Sequence, residues 1–206
     1  MTPRLLSQLL NDLKAGISSE TVSVGEVLEA FHERGLGFFV FLVALPAALP
    51  LPALGINTLI AVPLLLLTLQ QAFGSHTVWL PESLKKKTVR RETLENMIDA
   101  ALPWVLRLEI FIQPRMGWLT QNGASRLIGF INFIMALAVC IPIPLTNTVP
   151  SMGIALMSIG ILMRDGLSVL AGAFIGIAWI ALLASVFIFL GLEGADLVKD
   201  FIKSFF

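Results

Sequence analysis

The stretch ALPLPALGINT, residues 48–58, interrupts two apolar runs, GLGFFVFLVALPA (35–47) and LIAVPLLLLTLQQAF (59–73). Two prolines, a glycine and an Asn-Thr pair stand where one long oily segment would otherwise continue. About ninety residues on, CIPIPLTNTVP (140–150) breaks a second pair of apolar runs with nearly the same residues. Aligning Asn57-Thr58 with Asn147-Thr148 sets 59–80 over 149–170 without a gap, at an offset of 90. Pro50 and Pro52 match Pro142 and Pro144 at an offset of 92. The pattern is an internal repeat: Pro-x-Pro, a short gap, Asn-Thr, then an apolar helix. Broken helices at matching positions of two halves are a sequence pointer to a transport site.

The chemistry behind the break is specific. Pro-x-Pro removes two backbone donors and leaves carbonyls without helical partners. In hydrocarbon each exposed unpaired group costs several kcal/mol, so such backbone must be buried in protein or line a wet cavity. Asn57, Thr58, Asn147 and Thr148 are expected to cap the helices that follow. Those helix N-termini carry partial positive charge, which favours an anion or a polarised oxygen.

Composition supports a membrane setting. The 206 residues are 56% hydrophobic and 14% charged, with mean hydropathy +0.87. A soluble domain carries about 25% charged residues. The zero formal charge gives no basic excess for nucleic acid. The single cysteine, Cys140, excludes an internal disulfide and a cysteine zinc cluster. His32 and His76 have no metal-ligand spacing, so no metal and no cofactor are expected. No Ser-His-Asp order, His-Glu-x-x-His or glycine-rich phosphate loop occurs, which argues against an enzyme. The N-terminal MTPRLLSQLLNDLKAG lacks the continuous apolar core of a secretory signal.

The spacing divides the chain into six parts. Residues 1–34 hold two amphipathic helices that lie on the bilayer or cover the membrane part. Residues 35–79 form the first broken hairpin. Residues 80–123 read as an interfacial amphipathic linker, with Pro103 kinking or ending its helix and Trp79, Trp104 and Trp118 at headgroup level. Residues 124–165 form the second hairpin. Residues 166–192 are the one run long enough to cross with tilt to spare. Residues 193–206 form an amphipathic tail. Arms of fifteen or sixteen residues reach only about 22–24 Å at 1.5 Å each, against a hydrocarbon core of about 30 Å. The expected fold is therefore an all-α integral membrane protein with two Pro-broken, re-entrant hairpins, one full span and several interfacial helices. Two complete short crossings per hairpin, or an inverted repeat in which 94–113 also crosses, are the alternatives. Arg107 and Glu109 make that last arrangement costly.

Arg164-Asp165-Gly166 joins the second hairpin to the long span. At a surface turn the pair is ordinary, with Gly166 as helix stop; within the membrane it would be functional by default. Asn132, Gln70 and Gln71 sit in apolar helices, where interhelical hydrogen bonding is the usual role. Gly172 and Gly176 form a small-x-x-x-small packing seam.

The order of short motifs carries a resemblance. LPLPALGINT, PLLLLTLQQAFG, WLP, a basic stretch, ALPW, QPR, RLIGF, IPIPLTNTVP and ILMRDGL follow one another before a final span. Over about residues 25–190 the chain resembles the ExoD family of exopolysaccharide synthesis proteins. The resemblance implies a multi-pass protein of the bacterial inner membrane, linked to exopolysaccharide production through a phenotype, without a defined reaction. It also directs attention to Pro50, Pro52, Asn57, Thr58, Pro142, Pro144, Asn147, Thr148, Arg164, Asp165 and Gly166. Residues and resemblance together suggest a small transporter, with a polar site between the hairpins for a small solute, an ion or a lipid headgroup. A homodimer would enlarge that site. A non-transporting scaffold or lipid-binding partner of the synthesis machinery is the second reading.

Overall fold

The computed structural model describes residues 6–17, 19–31, 35–48, 56–75, 77–120, 123–140 and 147–203. The described residues are predominantly helical. The N-terminal part comprises α1 (Leu6–Gly16), β1 (Thr21–Ser23) and α2 (Val24–Phe31). The apolar hairpin arms follow as α3 (Gly35–Ala48) and α4 (Ile56–Ala72). The polar segment holds α5 (Glu82–Lys85), β2 (Thr88–Arg90), α6 (Arg91–Phe111) and a 3-10 turn at Gly117–Thr120. The second pair of arms is α7 (Gly123–Val139) and α8 (Thr148–Met163), and α9 (Gly166–Lys203) closes the chain.

Four arms make the core. α3 packs on α8, α4 on α7, and each arm also touches its hairpin mate. Gly37, near the start of α3, lies against Ser158 and Ile161, near the end of α8. Gly129, near the start of α7, lies against Gln71 and Ala72, at the end of α4. Both cross-hairpin pairs therefore run antiparallel. α8 is the central helix, flanked by α3, α7 and α9. It meets α9 along glycines: a Cβ on Gly153 would lie 2.8 Å from the Gly172 carbonyl oxygen, and one on Gly172 would lie 2.8 Å from Met157 Cγ. Where lipid replaces water as solvent, such close backbone packing drives association. The Gly172-Gly176 seam is thus realised against α8. Outward, Leu42, Leu45, Val62, Leu66, Phe130 and Phe174 are exposed, an apolar shell suited to acyl chains.

Among the described residues one helical stretch, Gly166–Val186, is long and apolar enough to cross a membrane. α9 continues from it unbroken to Lys203, so residues 193–203 extend the span's axis and do not begin a separate tail helix. α6 likewise runs through Pro103, which neither ends it nor starts a new element.

The amphipathic helices largely cover one another. α1 buries Leu6, Leu10 and Leu13, and α6 contributes Ile98 and Val105 to the same core. Glu109 accepts the Ser7 N–H and hydroxyl, both at 2.8 Å, which places a carboxylate at the N-terminus of α1. Lys14 pairs with Asp99 at 2.6 Å. β1 and β2 join in an antiparallel ribbon, Val22 opposite Val89, which the sequence reading had not foreseen. α2 docks on α3 through the stacked rings of Phe31 and Phe38, 4.1 Å between centroids.

A capping box starts α2. Ser23 Oγ accepts the Glu26 N–H at 3.1 Å, and Glu26 accepts the Ser23 N–H at 2.6 Å. The Ser23 backbone and hydroxyl donors hold the Glu26 carboxyl below its ordinary value. A depressed carboxyl stabilises the fold above its unfolded pKa, and that contribution is lost as pH falls through the folded value. Glu26→Gln should therefore flatten the acid side of the melting-temperature profile; an unchanged profile would show that the box contributes nothing.

Candidate functional site

The interior of the arms is lined by a narrow set of positions. Val40, Ala44, Ala61, Leu64, Thr68, Asn132, Met135, Ala136, Ser151, Ile154 and Ser158 are all 0% exposed. Among the described residues this interior holds no charged side chain. It does hold polar ones. Asn132 Nδ2 donates to Gln71 Oε1 at 3.1 Å between α7 and α4, which is the interhelical role expected of these residues. Gln70 instead faces the connecting segment, where its amide brackets the Trp79 backbone: Oε1 accepts Trp79 N–H at 2.6 Å and Nε2 donates to Trp79 O at 3.2 Å. Thr68 donates its hydroxyl to Leu64 O at 2.8 Å.

Among the described residues, three buried side-chain oxygens have no hydrogen-bond partner: Asn132 Oδ1, Ser151 Oγ and Ser158 Oγ. On α8 the serines lie seven residues apart, so they share a face. Gly153 and Gly160, which meet α9, lie on the other side of that helix. Met135 of α7 reaches the level of Gly153, so Asn132 stands level with residue 156. Two residues separate that level from Ser158, about 3 Å of helical rise. A polar layer therefore crosses the bundle near Thr68, Gln71, Asn132 and Ser158. Leaving buried polar groups unpaired costs about 1–3 kcal/mol each, and in a membrane segment such groups mark function.

Asn147 and Thr148 stand at one end of α8, and Arg164, Asp165 and Gly166 at the other. Asn147 is buried and immediately precedes α8, and Thr148 opens that helix, half-buried. Asn147 does not cap α8 through its side chain, contrary to expectation. Its φ of −81° and ψ of −26° are already helical, whereas a capping side chain needs extended backbone. Its carbonyl accepts the Ser151 N–H at 3.1 Å. Asn57 and Thr58 lie inside the first turn of α4, which begins at Ile56. Pro50, Pro52, Pro142 and Pro144 lie outside the described residues.

Arg164, Asp165 and Gly166 lie at the far end of α8. The helix stop is Arg164, in left-handed conformation at φ 55°, not Gly166, which opens α9. Arg164 N–H donates to Ile161 O at 3.2 Å and Asp165 N–H to Gly160 O at 2.8 Å, a Schellman ending. Asp165, 1% exposed, then caps α9: it accepts the Leu167 N–H at 3.0 Å and the Ser168 hydroxyl at 2.9 Å. Arg115 stands 3.7 Å from its carboxylate, and Arg115 O accepts the Gly166 N–H at 2.6 Å. The QPR and RDG stretches, remote in sequence, thus meet here. A left-handed non-glycine residue costs roughly 1–2 kcal/mol, so Arg164→Gly should raise the unfolding midpoint in detergent by the equivalent of about 1 kcal/mol. A lower midpoint would show that the Arg164 side chain stabilises more than its backbone costs.

The chain matches the family described as "Exopolysaccharide synthesis, ExoD" over residues 6–185. An uncharacterized protein of Synechocystis sp., slr1875, is 34% identical over 187 residues, covering 89% of this chain and 88% of the relative. Protein ExoD of Rhizobium meliloti is 29% identical over 182 residues, covering 85% of this chain and 74% of the relative. No solved structure matches the chain. With the match spanning most of its length, this chain belongs to the ExoD family of exopolysaccharide synthesis proteins.

Proposed function

We propose that the protein is a multi-pass transporter of the bacterial inner membrane that moves a small solute, ion or lipid headgroup in support of exopolysaccharide production. It performs no chemistry of its own, and it works as a homodimer. The observation that carries the reading is the polar layer inside a bundle built from two like halves.

Several features support the two halves. Leu36, Gly37, Val40, Ala44 and Ala47 are buried in the first arm, and 92 residues on so are Ile128, Gly129, Asn132, Ala136 and Val139. In the second arms, Ala61, Leu64 and Thr68 correspond at an offset of 90 to Ser151, Ile154 and Ser158, all fully buried. Gly74 N–H donates to Gln71 O and Ser75 N–H to Gln70 O, and the same pair of bonds ends α8 ninety residues later at 164 and 165. Gly74, at φ 80°, is the left-handed residue that corresponds to Arg164. The sequence RGLGF (34–38) also matches RLIGF (126–130). The antiparallel cross-packing makes α3 and α7 point the same way, which favours a parallel repeat about an axis along the helices. The pairing of α6 with α1 favours leaving 94–113 outside the membrane.

The register against α9 supports re-entrant arms. Gly153 meets Gly172 and Gly176, so the start of α8 stands near residue 179. The apolar stretch of α9 continues to Val186, about 10 Å further at 1.5 Å per residue. The described start of α8, at Thr148, then lies alongside the apolar length of α9 and short of its end.

Asn132→Leu and Asn147→Leu should each abolish solute uptake, or solute-dependent stabilisation, in vesicles holding folded protein. Normal uptake in both variants would overturn the proposal. The scaffold reading has one observation in its favour: a groove of about 270 Å³ in the N-terminal part, lined among others by Leu9, Leu13, Ile17, Val22 and Glu26. Loss of binding to polysaccharide synthesis components in Leu9→Asp, with uptake never observed, would favour it.

A further inference from the structure

We infer that the polar layer binds one monovalent cation that keeps part of its hydration shell, with Asn132 Oδ1 and Ser158 Oγ among its ligands. Ser151 Oγ, two turns along the same face of α8, is the next oxygen on its path. The inference rests on the reading of the bundle interior as a solute path and names an ion that path takes.

The chemistry of the vacant valences selects the ion. All three unpartnered atoms are oxygens; the Asn132 nitrogen is already spent on Gln71. Hydroxyls in helices ordinarily turn back to the carbonyl one turn earlier. Thr68 does so at 2.8 Å and Ser185 does so at 2.8 Å. Ser151 and Ser158 do not, so their lone pairs remain available to a ligand. Amide and hydroxyl oxygens suit hard cations. An anion finds no positive side chain in this interior among the described residues, and a divalent ion finds no carboxylate to offset its charge. A single positive charge surrounded by neutral oxygens is the arrangement that selectivity sites within membranes use.

The asymmetry of the halves limits the stoichiometry to one. The positions corresponding to Asn132 and Ser151 are Val40 and Ala61, and the one corresponding to Ser158 is Thr68, whose hydroxyl is satisfied by its own helix. Among the described residues, the first half thus offers no second set of free oxygens.

The test is thermal unfolding of the purified full chain in lipid nanodiscs, in sodium, lithium, potassium or choline chloride at equal ionic strength. Sodium should raise the midpoint saturably above its value in choline. Ser158→Ala and Asn132→Leu should each remove the difference, and Ser185→Ala should keep it. Ser158→Ala deletes only an unpartnered hydroxyl, so its fold is expected to persist where Asn132→Leu fails. Equal midpoints in sodium and choline, the outcome for a layer filled only by water, would overturn the inference; so would a sodium effect that survives Ser158→Ala. A sodium shift without any solute uptake would leave the cation site standing and remove the transport reading. Uptake in choline medium with no sodium shift would do the reverse.

Discussion

Gly129→Ala should dislodge α7 from α4, whereas Gly37→Ala should leave stability near that of the native chain. The two glycines stand at matching positions of RGLGF (34–38) and RLIGF (126–130), yet their surroundings differ. A Cβ at Gly129 would meet the Ala72 amide nitrogen and stand 2.9 Å from Ala72 Cα. Those atoms are backbone at the end of a helix and cannot swing aside. A Cβ at Gly37 would find its nearest neighbours at 3.5 Å from Ser158 O and 3.9 Å from Ile161 Cγ2, ordinary contact distances. Overpacking costs about 1–3 kcal/mol, occasionally more; a clash with rigid backbone belongs at or beyond the top of that range. The displacement would also separate Asn132 from Gln71, since Asn132 lies one turn along α7 from Gly129. Thermal unfolding and size-exclusion behaviour of both variants in detergent would measure the contrast. Equal losses in the two would contradict the close approach of α7 to α4.

The hairpin arms were legible because their signal is compositional and long: apolar runs between Pro-x-Pro breaks define α3, α4, α7 and α8 within a few residues. The two breaks were legible because Pro-x-Pro and Asn-Thr each occur at these two places alone in the chain. Short or non-local features were not. The β1–β2 ribbon pairs Thr21 with Arg90, and strands of three residues show no periodicity. Pro103, expected to kink or end its helix, does not end it: α6 continues through it where its ring faces solvent. The amphipathic pattern from residue 193 marks a change of character, not a helix end, and the backbone of α9 continues through it to Lys203. Gly166 was the natural helix stop on conformational grounds, and the chain instead uses Arg164 because Gly166 is needed elsewhere. A Cβ at Gly166 would come within 2.7 Å of Met116 O.

The candidate site was only half legible. Asn132 and Gln71 stand out as amides in apolar helices. Ser151 and Ser158 do not, since serine in such a helix usually satisfies itself. Their importance depends on burial from every side, which the sequence of α8 alone does not encode. One trace was available: the ungapped alignment of the second arms sets Ser158 over Thr68, two hydroxyls in otherwise apolar surroundings.

Asp165→Ala should lower stability by about 2 kcal/mol, and Asp165→Asn should restore at least half of that. The alanine variant loses the N-terminal cap of α9, a contribution of about 0.5–2 kcal/mol. It also strips Arg115 of the carboxylate 3.7 Å away. Asparagine caps as well as aspartate does: its carbonyl oxygen can accept the Leu167 N–H, and the Ser168 hydroxyl can rotate to accept from the amide. Only the negative charge is then missing. The pair of variants therefore separates two roles that the sequence left open. Asp165 sits at the end of α8 remote from Asn147, and its oxygens are engaged by Leu167 and Ser168. A purely structural carboxylate predicts that Asp165→Asn supports uptake like the native chain while Asp165→Ala is limited by yield of folded protein. Should Asp165→Asn fold normally and yet fail in uptake, the negative charge at this turn would be part of the transport cycle. Arg115 and Arg164 would then become the next residues to neutralise.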